Sequence, residues 1–238
     1  MDFTIGIITS GNKEQQLNFL IDRIEDERIP NYEIILVGGD GLNRKNLIHI
    51  PFDESVKKAW ITRKKNIITE KARYDNIVYM HDYVFLEKGW YDGYLKFGDN
   101  FVICMNIIRN LDGSRFRDWT LWAGLTHLSD DGIITTEERD YITKNRMFLL
   151  PYNMKNLSKY MYISGAYWVA KKDIMREFPL DERLSWGEGE DVEWSKQVRE
   201  KYNFSMNIHS SVRFLKMKSI CEFYNVDDRA IEILKKKE

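Results

Sequence analysis

Short apolar runs alternating with amphipathic stretches predict an α/β fold, a mostly parallel central sheet flanked by helices in one continuous domain. Three observations carry this expectation. The apolar runs have strand length, the segments between them have helical periodicity, and polar or glycine-bearing motifs stand where strands would end. Residues 3–9 form the first run. Residues 16–28 follow as an amphipathic helix, with Leu17, Leu20, Ile21 and Ile24 on one stripe. Residues 32–37 read as a buried strand ending in Gly38-Gly39-Asp40-Gly41, residues 46–52 as a third strand, and residues 54–73 as a long helix. A fourth strand, 76–80, ends at His81-Asp82-Tyr83. This order implies right-handed crossovers, and ligands in such sheets bind beyond the carboxyl ends of the strands.

The second half is less regular. Residues 101–108 predict a strand and 109–156 a polar, aromatic-rich segment. Residues 159–170 predict a further strand interrupted at Ser164-Gly165. Trp186-Gly187-Glu188-Gly189-Glu190-Asp191 then leads into a helix in which Trp194, Val198 and Tyr202 recur at helical spacing. Glu190 and Asp191 are expected in its first turn, where the helix dipole favours ionised carboxylates. A short strand follows near 204–209. No linker-like stretch or internal repeat separates the halves, so residues 1–238 are expected to form one domain, divided near residue 108 into a nucleotide-binding and an acceptor-binding half.

Composition excludes several classes. The 238 residues include 43% hydrophobic and 31% charged residues, enough for a substantial core and a polar surface. With 36 basic and 37 acidic residues the formal net charge is −1, without the basic excess of a nucleic-acid binder. No apolar run reaches the roughly 18 residues of a membrane span. The first residues, with Asp2 and no basic region, do not read as a signal peptide. Two cysteines, Cys104 and Cys221, make neither a disulfide framework nor a zinc pattern. Cytoplasmic residence is the expectation; the Lys235-Lys236-Lys237 tail reads as a solvated end.

Candidate chemistry collects at the strand ends. Asp82 can hold a divalent cation that neutralises a diphosphate, with oxygen ligands suiting Mg²⁺ or Mn²⁺ and a histidine favouring Mn²⁺. His209, in Met206-Asn207-Ile208-His209, adds a late ligand. Arg63 interrupts the stripe Val56, Trp60, Ile67 on the long helix and, with Lys64, Lys65 and Asn66 beside it, can reach toward an anion. On that reading Lys64 fits a solvated helix face better than Arg63 does.

Taken together, these segments resemble the GT-A glycosyltransferases, most closely the glycosyltransferase family 2 type, over most of the chain. Thr9-Ser10-Gly11-Asn12 is similar to the family's first nucleotide loop. Arg63-Lys64-Lys65-Asn66 is similar to the helix segment beside the donor diphosphate. Tyr79-Met80-His81-Asp82-Tyr83-Val84 stands at the Asp-x-Asp metal motif, with Tyr83 in place of its final Asp. Ile163-Ser164-Gly165-Ala166-Tyr167-Trp168-Val169 resembles the small-residue acceptor loop. Phe178–Gly187 resembles the lead-in to a galactosyltransferase-like Trp-Gly-Gly-Glu-Asp, here with one residue inserted before Glu190-Asp191. Met206 and His209 resemble the Met-x-x-His ligands of β-1,4-galactosyltransferases.

The resemblance implies transfer of a sugar from a nucleotide-diphosphate donor, a UDP-sugar favoured, to a hydroxyl of a glycan or glycoconjugate, assisted by Mn²⁺ or Mg²⁺. It implies Asp191 as the base, with inversion if that role is correct. Glu190, Trp186, Gly187, Ser164 and Gly165 would be at the acceptor. Thr9, Ser10, Asn12, Asp40, Arg63, Lys65, Asn66, His81 and Asp82 would be at the donor, and Asp82 and His209 on the metal. Two other readings stand beside it. Gly38-Gly39-Asp40-Gly41 resembles the Gly-Gly-Asp-Gly-Thr turn of lipid and NAD kinases, with Leu42 in place of Thr. A catalytically inactive sugar-nucleotide-binding domain is favoured by Tyr83. Nicotinamide chemistry is disfavoured because no Gly-x-Gly-x-x-Gly follows the first strand.

Overall fold

Strands buried on both faces read as unbroken apolar runs, and the first such runs build the centre of the sheet. The structure, a computed structural model, describes residues 1–122, 132–144, 147–154, 161–218, 224–225 and 228–236. Cys221, Lys237 and parts of the predicted segments 109–156 and 159–170 lie outside the described residues.

In chain order the first half comprises β1 (Phe3–Ile8), α1 (Glu14–Asp26), β2 (Tyr32–Val37), β3 (Leu47–Ile50), α2 (Ile61–Lys71), β4 (Asn76–His81), β5 (Val84–Leu86), α3 (Trp90–Phe97) and β6 (Ile103–Arg109). The second comprises β7 (Thr120–Trp122), α4 (Thr136–Lys144), β8 (Met147–Leu149), β9 (Met161–Tyr162), β10 (Tyr167–Lys171), α5 (Lys172–Glu177), α6 (Glu190–Arg199), β11 (Phe204–Phe214), β12 (Tyr224–Asn225) and α7 (Asp228–Lys235). An eight-stranded sheet has the order β3-β2-β1-β4-β10-β6-β11-β5, and a four-stranded sheet the order β12-β8-β7-β9. Strands β3, β2, β1 and β4 are parallel, as expected. β10 enters antiparallel between β4 and β6, while β11 runs parallel to β6. Among the described residues no helix is long and apolar enough to cross a membrane.

Two elements differ from their predicted extents. The helix expected over 54–73 begins only at Ile61. Helical periodicity cannot reveal that Ala59 adopts a left-handed backbone (φ 52°), a conformation that ends a helix, and Val56 of the expected apolar stripe is 67% exposed. The strand expected near 204–209 continues to Phe214, with a register shift between Asn207 and Ser211. That bulge carries polar residues along a strand whose apolar pattern had stopped.

Close packing of α2 on β1 sets the position of the residues that face the cleft. Gly6 lies against Ile68, and a Cβ there would stand 2.7 Å from Ile68 Cδ1 and nearer still to Cγ2. Gly6→Ala should therefore overpack this contact and lower the unfolding free energy by about 1–3 kcal/mol, measured by urea denaturation. Combining it with Ile68→Ala should cost less than the sum of the two single changes; strict additivity would show that the helix is not pressed on the strand here.

Candidate active site

β1 and β4 are neighbours in parallel register, with Ile8 opposite His81, so the residues after both strands meet at one edge of the sheet. Thr9 Oγ1 donates to Asp82 Oδ2 at 2.7 Å, and the Asp82 amide donates to the Ile8 carbonyl at 3.1 Å. Lys13 Nζ, just before α1, donates to the same Asp82 oxygen at 2.6 Å. Gln16 Nε2 reaches the Asp82 carbonyl at 2.5 Å. Asp82 is 4% exposed, a carboxylate already engaged by a hydroxyl and an ammonium.

The turn after β2 packs against Thr9 and Lys64. Gly38, at φ 92°, presses so tightly that a Cβ would meet the Thr9 carbonyl and lie 3.1 Å from Lys64 Nζ. Lys64 is buried; it donates to the Thr9 carbonyl at 2.6 Å and pairs with Glu54. The resulting cavity, about 420 Å³, is lined among others by Thr9, Ser10, Lys13, Lys64, Asp82 and Lys216, a volume suited to a small-molecule ligand.

A second, smaller cavity of about 80 Å³ adjoins it, with Ser164, Gly165, Glu190, Asp191, Arg117 and Lys218 in its wall. His81, Tyr83 and Trp186 line both cavities. The first turn of α6 carries Glu190 and Asp191. Gly165 N donates to Asp191 Oδ2 at 2.7 Å, and only a glycine fits there, since a Cβ would fall 2.9 Å from that oxygen. The Asp191 Oδ1 atom accepts from the Val192 amide at 3.0 Å. Each oxygen retains a lone pair for an incoming hydroxyl.

Electrostatics differ across the site. Burial and the adjacent Asp191 charge push the Glu190 carboxyl above its ordinary range, and Lys65 and a Gly187 backbone hydrogen bond oppose them. Lys65, fully buried, donates to the Gly165 carbonyl at 2.8 Å and stands 4.5 Å from the Trp168 ring centroid. Burial lowers its ammonium to about 8, against the pull of Glu190 and Asp191. His81 is held well below the ordinary histidine range by burial, by Lys65 and by Lys218, so its ring is neutral at physiological pH.

Of the predicted site residues, Thr9, Ser10, His81 and Asp82 gather at the larger cavity. Ser164, Gly165, Glu190 and Asp191 gather at the smaller, with Lys65 alongside and Trp186 spanning the two. Gly187, on the exposed turn after Trp186, has φ 86°. The others go elsewhere. Arg63 turns away from the cleft to pair with Glu70 at 2.6 Å and Glu182 at 3.1 Å, whereas Lys64, expected on a solvated face, points inward. Asn66 is bound to Leu180 through both its amide nitrogen and oxygen (2.9 and 3.0 Å) and to Glu182; it holds a loop and leaves no amide for a ligand. Asn12 is exposed and accepts from the Glu14 amide at 3.4 Å. Asp40 is exposed on the turn after β2 and does not line the cavity.

His209 is not brought to Asp82. It lies exposed in the bulged middle of β11, its carbonyl against Gly93 of α3, and lines neither cavity. Lys216 and Lys218, beyond the Phe214 end of β11, arrive at the site instead, with Nζ 4.3 and 4.4 Å from the Tyr83 ring centroid. Two lysines close together just past a strand end were the available signal. Among the described residues no group of three or more His, Cys, Asp or Glu could hold a metal ion. One carboxylate already paired with Lys13, beside a neutral histidine faced by lysines, is a poor match to the oxygen-rich shell of Mg²⁺ or Mn²⁺.

Titration of Lys65 is directly testable. An unfolded chain keeps this proton to about 10.5, whereas the native ammonium releases it near 8. Between those values the unfolded state binds more protons, so raising pH favours the native state. The unfolding free energy of the wild type, relative to Lys65→Met, should therefore rise between pH 8 and 10.5; a difference independent of pH would show that Lys65 does not titrate there.

No family model matches the chain. No curated protein matches it either. Solved structures do match in fold. TarS of S. aureus superposes with TM-score 0.62 at 11% identity, over 92% of this chain and 37% of that one. GalNAc-T7, described with UDP, GalNAc and Mn²⁺, gives TM-score 0.62 at 12% identity, over 98% and 47%. A 1–349 form of TarS in complex with UDP-GlcNAc gives 0.57 at 12%, over 98% and 64%. The chain thus spans between 37% and 64% of the length of these structures. At such identities the likeness is one of architecture, and the architecture is the GT-A-like α/β fold.

Proposed function

We propose that this chain is a glycosyltransferase that moves a sugar from a nucleotide-diphosphate donor, a UDP-sugar favoured, to a hydroxyl of a glycan or glycoconjugate. The observation that carries this reading is the junction of the two cavities. A ligand-sized cleft at the ends of β1 and β4 opens past His81, Tyr83 and Trp186 onto a small polar chamber holding the Asp191 carboxylate. UDP and UDP-GlcNAc accompany structures of like fold, and the larger cleft supplies the cationic walls that such a donor needs. Residues 1–108 then provide most of the donor side and 109–238 the acceptor side, with Trp186 and Lys216 crossing over to the donor.

In this reading the acceptor hydroxyl enters the smaller cavity and is oriented by Glu190 and the Ser164–Gly165 loop. Asp191, its carboxylate fixed by the Gly165 and Val192 amides, takes the hydroxyl proton as the acceptor oxygen attacks the anomeric carbon. Attack from the side opposite the nucleotide inverts the anomeric centre. Trp186, 60% exposed, can lie over a sugar face and exclude water from the junction. Tyr83, standing where a second carboxylate would be, supports one other reading, an inactive domain that binds sugar nucleotides without transferring.

A nucleotide-sugar panel with glycan acceptors tests the proposal. A UDP-sugar should raise the melting temperature by ligand linkage and release UDP on transfer. Asp191→Asn should lower turnover about 10²-fold or more with the donor-induced thermal shift nearly unchanged. Thermal stabilisation without any transfer would favour the inactive domain, and near-normal transfer by Asp191→Asn would remove Asp191 from the base role.

A further inference from the structure

We propose that Lys216 and Lys218 neutralise the departing diphosphate, so that transfer proceeds by ammonium groups of the chain in place of a divalent cation held on Asp82. This rests on the glycosyltransferase reading above and concerns the same cleft.

Two sets of observations lead to it. The first is the donor set at the end of β4. Its one carboxylate, Asp82, is bridged to Lys13 and Thr9, the next residue is Tyr83, and His209 lies elsewhere along β11. A dication there would have to displace the Lys13 ammonium and sit among further lysines. The second is the pair of lysines itself. Leu215 N donates to the Tyr83 carbonyl at 2.8 Å, which fixes the exit of β11 over this residue. Lys218 N donates to Asn110 Oδ1 at 3.2 Å, which fixes the next turn. Both ammonium groups therefore stand on the Tyr83 ring, and neither has an ion-pair partner among the described residues.

Their placement fits the bond that breaks. Lys216 lines the larger cavity and Lys218 the smaller, while Tyr83 lines both, so the two cations straddle the junction. As the acceptor oxygen bonds to the anomeric carbon, the bond from that carbon to the β-phosphate oxygen breaks and its electron pair stays on the phosphate. The acceptor proton passes to Asp191, and the nucleoside diphosphate leaves with one more negative charge beside Lys216 and Lys218. Two like charges held together without a counter-ion repel each other, and an anion relieves that repulsion. Burial, Lys216 and Arg117 together depress the Lys218 ammonium to about 8.

Calorimetric titration of the full chain with UDP, GDP, ADP and dTDP, each in EDTA and in Mn²⁺, tests the inference, with uridine as the phosphate-free control. The best-binding diphosphate should bind in EDTA within about threefold of its affinity in Mn²⁺. Lys216→Gln with Lys218→Gln should weaken it roughly tenfold or more by removing two charge-assisted contacts, leave uridine unchanged, and be rescued by arginine at both positions. Binding that requires Mn²⁺ and ignores the lysine changes would overturn the inference while the donor site stands. Failure of every nucleotide in both conditions would overturn the donor site and the inference together. Should the double variant fail to fold by circular dichroism, the EDTA and Mn²⁺ comparison on the wild type still decides.

Discussion

A buried ammonium governs how this site is put together. Lys65 is fully enclosed, and an unpaired charge in such a position costs several kcal/mol. The chain meets that cost from three directions. The Gly165 carbonyl accepts its hydrogen bond, the Trp168 ring lies beneath it, and the carboxylates of Glu190 and Asp191 supply opposite charge. These groups come from the β9–β10 loop, from β10 and from α6, so satisfying one side chain of α2 brings three separated segments to one point. The dependence is mutual, because Glu190 is itself buried and would lack its cation without Lys65.

Other polar side chains of α2 and of the turn before it fasten the loop that carries Trp186. Trp60 Nε1 and Lys57 Nζ donate to the Glu182 carbonyl, Thr62 Oγ1 to the Leu184 carbonyl, and Asn66 brackets Leu180. The Trp186 amide donates to the Ala59 carbonyl at 3.1 Å. Arg63 and Asn66, which the motif suggested as donor ligands, therefore act one step removed. They set where an exposed tryptophan stands over the junction of the cavities. The left-handed Ala59 serves the same end, since a helix continued through residues 54–60 would remove the carbonyl that the Trp186 amide uses.

What the sequence made legible follows from local physics. Strands β1, β2 and β4 are buried on both faces and so are written as continuous apolar runs. Gly189 followed by two carboxylates marks a helix start, and the Ser164-Gly165 break falls where β9 gives way to β10. What it left hidden depends on contacts between distant positions or on backbone angles. Lys13 meets Asp82 across 69 positions, and nothing in either local pattern names the partner. Arg63 and Lys64 are neighbours about 100° apart on a helix; which of them faces the cleft depends on the helix rotation, and that is set by Ile68 against Gly6. The end of β11 was missed because its bulge interrupts the apolar pattern, and with it the two lysines that follow.

Among the described residues, carboxylates without a lysine ion pair stand at one end of the cleft. Lys13, Lys58, Lys64 and Lys216 line the larger cavity, each carboxylate there paired with a lysine, and Glu190 and Asp191 line the smaller together with Arg117 and Lys218. Between them lie His81, whose burial keeps it uncharged, and Tyr83, whose burial raises its phenol and keeps its proton in place. In a sugar transfer of the kind proposed, a proton leaves the acceptor beside Asp191 and negative charge accumulates on the diphosphate beside the lysines. A field fixed by folded side chains acts on that displacement without reorganising when the reaction occurs. The neutral pair at the centre matters as much as the charged ends. A charged histidine at position 81 would screen the two sides from each other and draw the developing negative charge to the middle of the cleft. Burial, with Lys65 and Lys218 beside it, holds it neutral, so Lys218, one of the two cations proposed to receive the leaving group, also helps keep the path between donor and acceptor free of competing charge.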